Sequence, residues 1–142
     1  MSSANVELVR SIYAAWERGD FSSAEWAHPR IEYVRADGPD TGTWSGLAGL
    51  AEAARAYLDA WDDFRFVADE YRELDDERVL VLYHVVGRGK ASGLELGQIR
   101  TEAAHVWHLR EGKVVKYVIY LDRDLAFADL GLAREGRYRK EG

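Results

Sequence analysis

The chain has 142 residues, a net charge of −6 and no cysteine. This length suits one domain with a sizeable core, and the missing cysteines exclude disulfides, thiolate metal sites and cysteine nucleophiles. An acidic chain without a basic block is a poor candidate for binding nucleic acid or an anionic membrane surface. No run approaches the ~20 apolar residues of a membrane helix, and the N-terminus does not have the pattern of a secretory signal, so we expect a cytoplasmic protein.

The first half of the chain is predicted to be largely helical. Apolar side chains recur at helical spacing in its opening residues and again in a later Ala-rich stretch, with a Gly- and Pro-containing loop between them. In chain order, the predicted elements are a helix from Asn5 to Arg18, a short helix within Phe21–Ala27, a strand at Ile31–Arg35, a loop at Ala36–Ser45 and a helix at Leu47–Trp61.

Strands dominate the second half, where the apolar pattern changes to a period of two. Glu111 and Gly112 are typical of a tight hairpin turn between two of them. In chain order, the predicted elements are strands at Phe64–Leu74, Arg78–Arg88, Leu94–Leu109 and Lys113–Leu121, and a short closing helix at Asp122–Leu130 that ends at Gly131.

Helices followed by long strands predict an α+β domain with one curved sheet, whose helices cover one face. We expect this single domain to span residues 1–132 and a basic tail, residues 133–142, to fray. A sheet too curved to be filled by its own helices leaves a cavity at its open end. The aromatic fraction of 12% fits either a core of large side chains or an aromatic-lined cavity for an apolar ligand.

Five stretches of the chain resemble the nuclear transport factor 2-like superfamily, and in particular its SnoaL-like (polyketide cyclase-like) branch. They are NVELVRSIYAAWERGD, TGTWSGLAGLAEAARAYLDAW, GRGKASGLEL, AHVWHLREGKVVKYVIYLD and RDLAFADLGL, and together they span roughly residues 4 to 132. The resemblance implies a cone-shaped α+β barrel in which a curved mixed or antiparallel sheet wraps around the N-terminal helices. Members include isomerases, dehydratases, cyclases, epoxide hydrolases and non-catalytic binders, so the resemblance alone does not imply one activity.

The steroid isomerases of this superfamily need a carboxylate base together with a tyrosine and a protonated aspartate that donate to an oxyanion. The matching positions here are Tyr33 for the base, Ile12 for the tyrosine and Ala104 for the aspartate. None of the three supplies the required group. The resemblance therefore does not extend to steroid isomerase activity.

Two other branches suggest candidate catalytic residues. Arg100 with Glu102 resembles the arginine and carboxylate pair of the epoxide hydrolases, although the position of their second carboxylate falls near Ile119. The cyclases use an acidic residue near the end of the sheet, where Asp122 is the candidate. Asp122 also precedes a predicted helix, and capping of that helix is an alternative role.

His84 is the first choice for a catalytic residue from the sequence pattern alone. It lies within RVLVLYHVVGR, a segment that is otherwise almost wholly apolar. If Leu80, Leu82 and Val86 face the cavity, His84 also faces it, and an imidazole in an apolar setting is a candidate general base. The alternative is a histidine on the other face of the sheet, hydrogen-bonded across a dimer interface.

The sequence therefore predicts a domain that binds a small apolar molecule, and it leaves enzyme and non-catalytic binding or dimerisation module as alternatives. An enzyme of this kind would perform cofactor-free cyclisation, isomerisation, dehydration or hydrolysis. His105 and His108 are three apart on a strand and so point to opposite faces, which argues against a metal site. The predicted ligand-binding residues are Tyr13, Trp16, Tyr33, Arg35, Trp61, Arg88, Tyr117 and Ile119.

The strands after Arg78 are apolar on both alternations, whereas the helices can cover only one face. An apolar patch on the convex face is expected from this, formed by His105, Trp107, Val118 and Tyr120. Monomers rarely expose such a patch, so we expect a two-fold homodimer through this face.

Overall fold

The computed structural model describes residues 4–18, 25–37, 41–89 and 102–131. These residues form three helices and six strands. In chain order the elements are α1 (Ala4–Glu17), β1 (Ala27–Arg35), β2 (Gly42–Ser45), α2 (Gly46–Ala60), β3 (Trp61–Glu73), β4 (Arg78–Gly89), β5 (Ala103–Arg110), β6 (Lys113–Tyr120) and α3 (Arg123–Leu130).

The six strands form one mixed sheet in the order β2-β1-β6-β5-β4-β3. Neighbouring strands are antiparallel except for β1 and β6, which run parallel. Glu111 and Gly112 join β5 to β6 with φ angles of 53° and 79°. Positive φ at both central residues is the geometry of a type I′ hairpin turn.

The helices divide the sheet into two faces with separate cores. We call the face against α1 and α2 the inner face, and its core includes Val9 and Ile12 of α1 together with Val79 and Val81 of β4. The outer face packs against α3, and Phe127 of that helix belongs to the outer core. The fold is therefore the α+β architecture with a mixed sheet that the sequence predicted.

Most of the predicted elements are present, and the differences lie at their ends. β1 begins at Ala27, inside the segment predicted as a short helix, and β2 occupies the end of the predicted loop. Trp61 starts β3 and not the end of a helix. The predicted strand from Leu94 begins at Ala103 in the described part of the chain, and residues 90–101 and the tail lie outside it.

Two of the four residues predicted for the convex face are on the inner face. A two-residue turn followed by a regular ladder would pair His105 with Val118, but the structure pairs His105 with Ile119 and Trp107 with Tyr117. The register shifts because Val115 is an extra residue in β6, between the pairs Leu109–Val114 and His108–Lys116. A one-residue shift exchanges the faces of all later side chains, which explains the error for His105 and Trp107. Those two residues belong to the inner face, whereas Val118 and Tyr120 are in the outer core.

The outer face of the central strands is covered within the chain. Leu80 and Val106 are buried there, and α3 packs against them through Ala126 and Phe127. The apolar patch expected on the convex face is thus not exposed in the described residues. The homodimer inferred from that patch stays a prediction.

Candidate functional site

A buried histidine lies at the centre of the inner face. His105 is 0% exposed, and in the described part of the chain it is the polar residue that is buried in the core. The Tyr83 ring stacks on its imidazole with centroids 3.8 Å apart, and the Phe66 ring meets it edge-on at 5.1 Å. We call the rings around this imidazole the aromatic cluster, and it consists of Tyr13, Trp16, Phe66, Tyr83, Trp107 and Tyr117.

Both ring nitrogens of His105 contact a tyrosine hydroxyl. Tyr13 Oη is in hydrogen-bonding contact with Nδ1, and Tyr117 Oη lies 2.9 Å from Nε2. Trp107 Nε1 donates to Tyr13 Oη at 3.1 Å. An indole nitrogen can only donate, so Tyr13 Oη is an acceptor there, and we assign its own proton to the contact with His105 Nδ1. We assign the Nε2–H tautomer to His105 on this basis, with Nε2–H donating to Tyr117 Oη.

Tyr13 and His105 are neutral at neutral pH. Burial lowers the pKa of His105 well below its usual value because the charged imidazolium loses its hydration. Burial raises the pKa of Tyr13 well above its usual value for the same reason, and the hydrogen bond from Trp107 only partly opposes this. The hydrogen-bonded side chains therefore hold their protons at fixed atoms, and Tyr13 and His105 carry no charge at neutral pH.

A second group of polar and aromatic side chains lies at the edge of the inner face. Tyr33 and Tyr117 are paired on the parallel strands β1 and β6, and their ring centroids are 5.1 Å apart. Arg35 Nε donates to Tyr33 Oη at 3.3 Å. The Arg35 guanidinium also lies 4.7 Å from the centroid of the Trp44 ring, which contacts Tyr33 at 5.6 Å. The aromatic surface therefore continues from the buried cluster to a half-buried cation.

Most of the predicted ligand-binding residues lie together on this face. These residues lie on α1, or on β1 and β6 at positions whose side chains point to the inner face. The residues are Tyr13, Trp16, Tyr33, Arg35, Tyr117 and Ile119. Trp61 and Arg88 occupy backbone positions where the start of β3 pairs with the end of β4. Ligand binding by these residues stays a prediction.

His84 does not face the aromatic cluster. Leu80 and Leu82, which share its alternation on β4, pack against α3 on the outer face. His84 Nδ1 lies 2.9 Å from Asp69 Oδ1, and Arg123 Nη2 of α3 lies 3.5 Å from the other carboxylate oxygen. The imidazole is thus half-exposed beside charged groups, and not in the apolar cavity proposed for it. A catalytic role for His84 would need a ligand on the outer face.

Two other predicted catalytic residues, Asp122 and Glu102, also lie away from the cluster. Asp122 is the N-cap of α3, and its side chain accepts a hydrogen bond from Asp124 N. That is the capping role weighed from the sequence. Glu102 is exposed, and its carbonyl oxygen accepts from the backbone N–H of Arg123 at 3.1 Å. Arg100 lies outside the described residues.

Sequence reasoning did not select His105 as a site residue. It was placed on the convex face because the extra residue in β6 has no signal in the apolar pattern. Its neighbour Ala104, the position matched to the aspartate of the steroid isomerases, lies in the outer core. A signal for His105 was nevertheless present: the strand AAHVWHLR combines an imidazole with an indole two residues later, so both must share one face.

A pocket of about 360 Å³ lies between α1 and the β5–β6 turn. Trp16 lines it and also belongs to the aromatic cluster, so the pocket borders the cluster from the side of α1. The remaining lining residues are Leu8, Ser11, Ile12, Ala15, Glu25, Trp26, Gly112 and Lys113. This pocket is distinct from the Tyr33 and Arg35 edge, and an experiment must separate the two.

The described residues contain neither a metal-binding cluster nor a membrane-spanning helix. No group of three or more histidine or acidic side chains in that part of the chain is arranged to hold a metal ion. Of the helices in the described residues, none is long and apolar enough to cross a membrane.

The chain belongs to the SnoaL-like domain family, whose model matches residues 9–117. Comparison with curated proteins gives no match. Among solved structures, the chain is similar to TerC co-crystallised with polyporic acid, with 25% identity, a TM-score of 0.71, and coverage of 90% of this chain and 98% of that chain.

Two further solved structures share the fold at lower identity. One is an NTF2-like protein of unknown function from Burkholderia pseudomallei K96243, with 22% identity, a TM-score of 0.72, and coverage of 89% of this chain and 97% of that chain. The other is a putative SnoaL-like polyketide cyclase from Jannaschia sp. CCS1, with 13% identity, a TM-score of 0.70, and coverage of 88% and 89%. These two similarities concern the fold alone.

Proposed function

We propose that the inner face binds a small conjugated, largely apolar molecule and that Tyr117 donates a hydrogen bond to an oxygen of that molecule. The observation that carries this proposal is the neutral His105 held between two tyrosine hydroxyls inside an aromatic wall. Apolar binding sites of proteins combine such walls with a few placed polar groups. The reaction class is cofactor-free acid–base chemistry of the cyclisation, isomerisation, dehydration or hydrolysis type.

The direction of the hydrogen-bond chain supports the role of Tyr117. In the assigned tautomer, His105 Nε2–H donates to Tyr117 Oη and so holds that hydroxyl in a fixed position beside the aromatic wall. A donor held in this way stabilises negative charge that develops on a carbonyl oxygen when a neighbouring carbon loses a proton to solvent base. His105 is then a positioning residue, because it fixes the orientation of the hydroxyl without contacting the ligand.

The aromatic wall supports the class of ligand. Tyr117 stacks on Trp107 with centroids 4.2 Å apart and planes 8° from parallel, and Tyr33 and Trp44 extend this surface toward solvent. Flat rings that are held rigidly favour a flat, conjugated partner. TerC, a structural neighbour at 25% identity, was co-crystallised with polyporic acid, which supports a small organic ligand for this chain as well.

Binding is tested with the neutral fluorescent probe N-phenyl-1-naphthylamine. We expect saturable fluorescence enhancement that Trp44→Leu weakens, because Trp44 is part of the proposed wall. Ala15→Leu is the matched control, since it fills the pocket between α1 and the β5–β6 turn and leaves the wall unchanged. Loss of binding in Ala15→Leu with no effect of Trp44→Leu would place the ligand in that pocket and contradict the proposal.

Chemistry is tested by exchange of the carbon-bound protons of 2-tetralone for deuterium, followed by proton NMR. The proposal predicts exchange faster than in buffer and a loss of about 10²–10³-fold in Tyr117→Phe, the usual effect of removing one oxyanion donor. Saturable binding without faster exchange would favour the alternative function, a non-catalytic ligand-binding domain. The predicted homodimer is tested separately by the mass at sedimentation equilibrium.

A further inference from the structure

We infer that His84 forms a second reactive site, on the outer face of the sheet, and that its imidazole takes an acyl group from a small activated ester. The juxtaposition that carries this inference is an imidazole nitrogen beside the carboxylate of Asp69, which Arg123 of α3 contacts as well. The inference does not depend on the proposed function, because the outer face lies across the sheet from the aromatic cluster.

The position of Asp69 beside His84 is part of an irregularity in β3. Asp69 is an extra residue between the pairs Ala68–Tyr83 and Glu70–Leu82, so no residue of β4 is its register partner. Irregularities of this kind redirect a side chain relative to a regular strand. The two carboxylate oxygens lie 2.9 Å and 3.1 Å from His84 Nδ1. Both oxygens therefore face the same ring nitrogen and hold the ring in one orientation.

Arg123 fixes the carboxylate in turn. Its Nη2 lies 3.5 Å from Asp69 Oδ2. The guanidinium is itself held by two backbone carbonyls, since Nη2 donates to Tyr83 O at 3.0 Å and Nε donates to Ala103 O at 3.2 Å. A guanidinium stays protonated, so it supplies a permanent positive charge beside the carboxylate. The carboxylate thus bridges a fixed cation and the imidazole.

The contact with Asp69 determines which nitrogen of His84 can react. An ionised carboxylate only accepts hydrogen bonds, so the neutral ring carries its hydrogen on Nδ1 and a lone pair on Nε2. The His84 side chain is 31% exposed, and Nε2 has no hydrogen-bond partner in the described part of the chain. His28 has the opposite arrangement, because its Nδ1 accepts from the backbone N–H of Arg30 at 2.9 Å. The hydrogen of a neutral His28 ring is therefore on Nε2.

The chemistry of such an imidazole is nucleophilic acyl transfer. Nε2 forms a bond to the ester carbonyl carbon, and the bond from that carbon to the leaving oxygen breaks, so the alcohol leaves as its anion. The acylated ring then loses the Nδ1 proton to solvent. Water attacks the same carbon, the bond to Nε2 breaks, and a carboxylic acid leaves while a proton returns to Nδ1. The leaving group must depart more readily than imidazole, so the substrate class is an activated ester.

The first test is release of p-nitrophenolate from p-nitrophenyl acetate at pH 8. We expect the wild-type chain to release it faster than buffer does, and His84→Gln to lower the protein-dependent rate by about tenfold or more. His28→Gln is the matched control and should keep the wild-type rate, because its neutral ring has no lone pair on Nε2. A wild-type rate equal to that of buffer would overturn the inference. So would an unchanged rate in His84→Gln, or an equal loss in His28→Gln.

The second test identifies Asp69 as a positioning residue, since it does not touch the ester. Asp69→Asn should slow p-nitrophenolate release, because the amide nitrogen can donate to Nδ1 and leave the hydrogen on Nε2. Correlation of the imidazole carbon-bound protons with both ring nitrogens by NMR should show His84 in the Nδ1–H form in the wild-type chain and a shift toward the Nε2–H form in Asp69→Asn. A wild-type His84 in the Nε2–H form would contradict the inference, whereas the proposed function of the inner face would stand.

Discussion

Removal of the Tyr13 hydroxyl tests the hydrogen-bond chain at its most enclosed point. Tyr13→Phe keeps the ring and its edge-on contacts with Trp16 and Trp107, so it creates no large cavity. It does remove the partner of Trp107 Nε1–H and the nearer of the two tyrosine hydroxyls at His105 Nδ1, leaving that nitrogen only the 3.5 Å contact with Tyr117 Oη. Both residues are 0% exposed, so water cannot replace the lost hydroxyl without rearrangement of the core.

The expected loss of stability follows from these two unpaired groups. A buried polar group without a partner costs about 1–3 kcal/mol. Because the two groups share one site and can relax together, we expect Tyr13→Phe to lower the free energy of unfolding by about 2–4 kcal/mol. Domains of this kind have about 5–15 kcal/mol in total, so the variant should still fold but with a visibly lower midpoint.

Urea denaturation at pH 7 measures this difference, with an unchanged dependence on urea showing that the folded state is still compact. Tyr120→Phe is the matched control, because its hydroxyl donates to the exposed Asp129 at 3.1 Å on the outer face. Water can replace Tyr120 as the partner of that carboxylate, so we expect a loss below about 1.5 kcal/mol. An equal or smaller loss in Tyr13→Phe than in Tyr120→Phe would refute the hydrogen-bond chain.

Three further predictions concern the pH dependence of stability, the N-cap of α3 and the β5–β6 turn. Folding lowers the pKa of His105, so below pH 7 the unfolded chain binds a proton that the folded chain excludes. The free energy of unfolding is therefore at its full value above the unfolded pKa of about 6.5. Below that pH it falls by up to ~1.4 kcal/mol per pH unit. Urea midpoints measured between pH 5 and 8 should lose most of this pH dependence in His105→Gln. In His108→Gln part of the pH dependence should remain, because the pKa of the half-buried His108 imidazole is lowered in the same direction and contributes only a share of it. Asp122→Ala should lower the thermal midpoint by the equivalent of about 1 kcal/mol through loss of the N-cap while leaving probe binding unchanged, and a loss of binding would instead favour a site role. Glu111→Asn should raise stability by about 0.5–1 kcal/mol, because asparagine tolerates the left-handed backbone before Gly112 better than glutamate does, and a lower midpoint would contradict the turn assignment.

The elements of the fold were predictable wherever one local signal decided them. The 3.6-residue period identified α1, and the Glu111–Gly112 pair identified the β5–β6 turn. β2 was missed because a four-residue edge strand between glycines has the composition of a loop. Its presence depends on pairing with β1, which no local pattern encodes.

The candidate site was predictable in composition but not in geometry. The sequence named Tyr13, Tyr33 and Tyr117 as residues that line a cavity or pack the core, and in the structure all three belong to the inner core. His84 was preferred to His105 because a histidine in an apolar run looks buried. The structure reverses the two, since β4 presents His84 to Asp69 on the outer face and β5 presents His105 to α1.

Two extra residues in the strands place Tyr71 and Tyr117 on the inner face. One of them, Asp69, lies in β3 between the pairs Ala68–Tyr83 and Glu70–Leu82, and the other is Val115 in β6. Each shifts the alternation of all later side chains, so that Tyr71 and Tyr117 turn to the inner face. Tyr71 there meets Tyr13 edge-on at 5.8 Å, and Tyr117 reaches His105 Nε2. Regular strands would direct both tyrosines to the outer face, against α3. His105 would then lack Tyr117, its second hydrogen-bond partner. The hydrogen-bond chain therefore depends on the irregularity of the sheet.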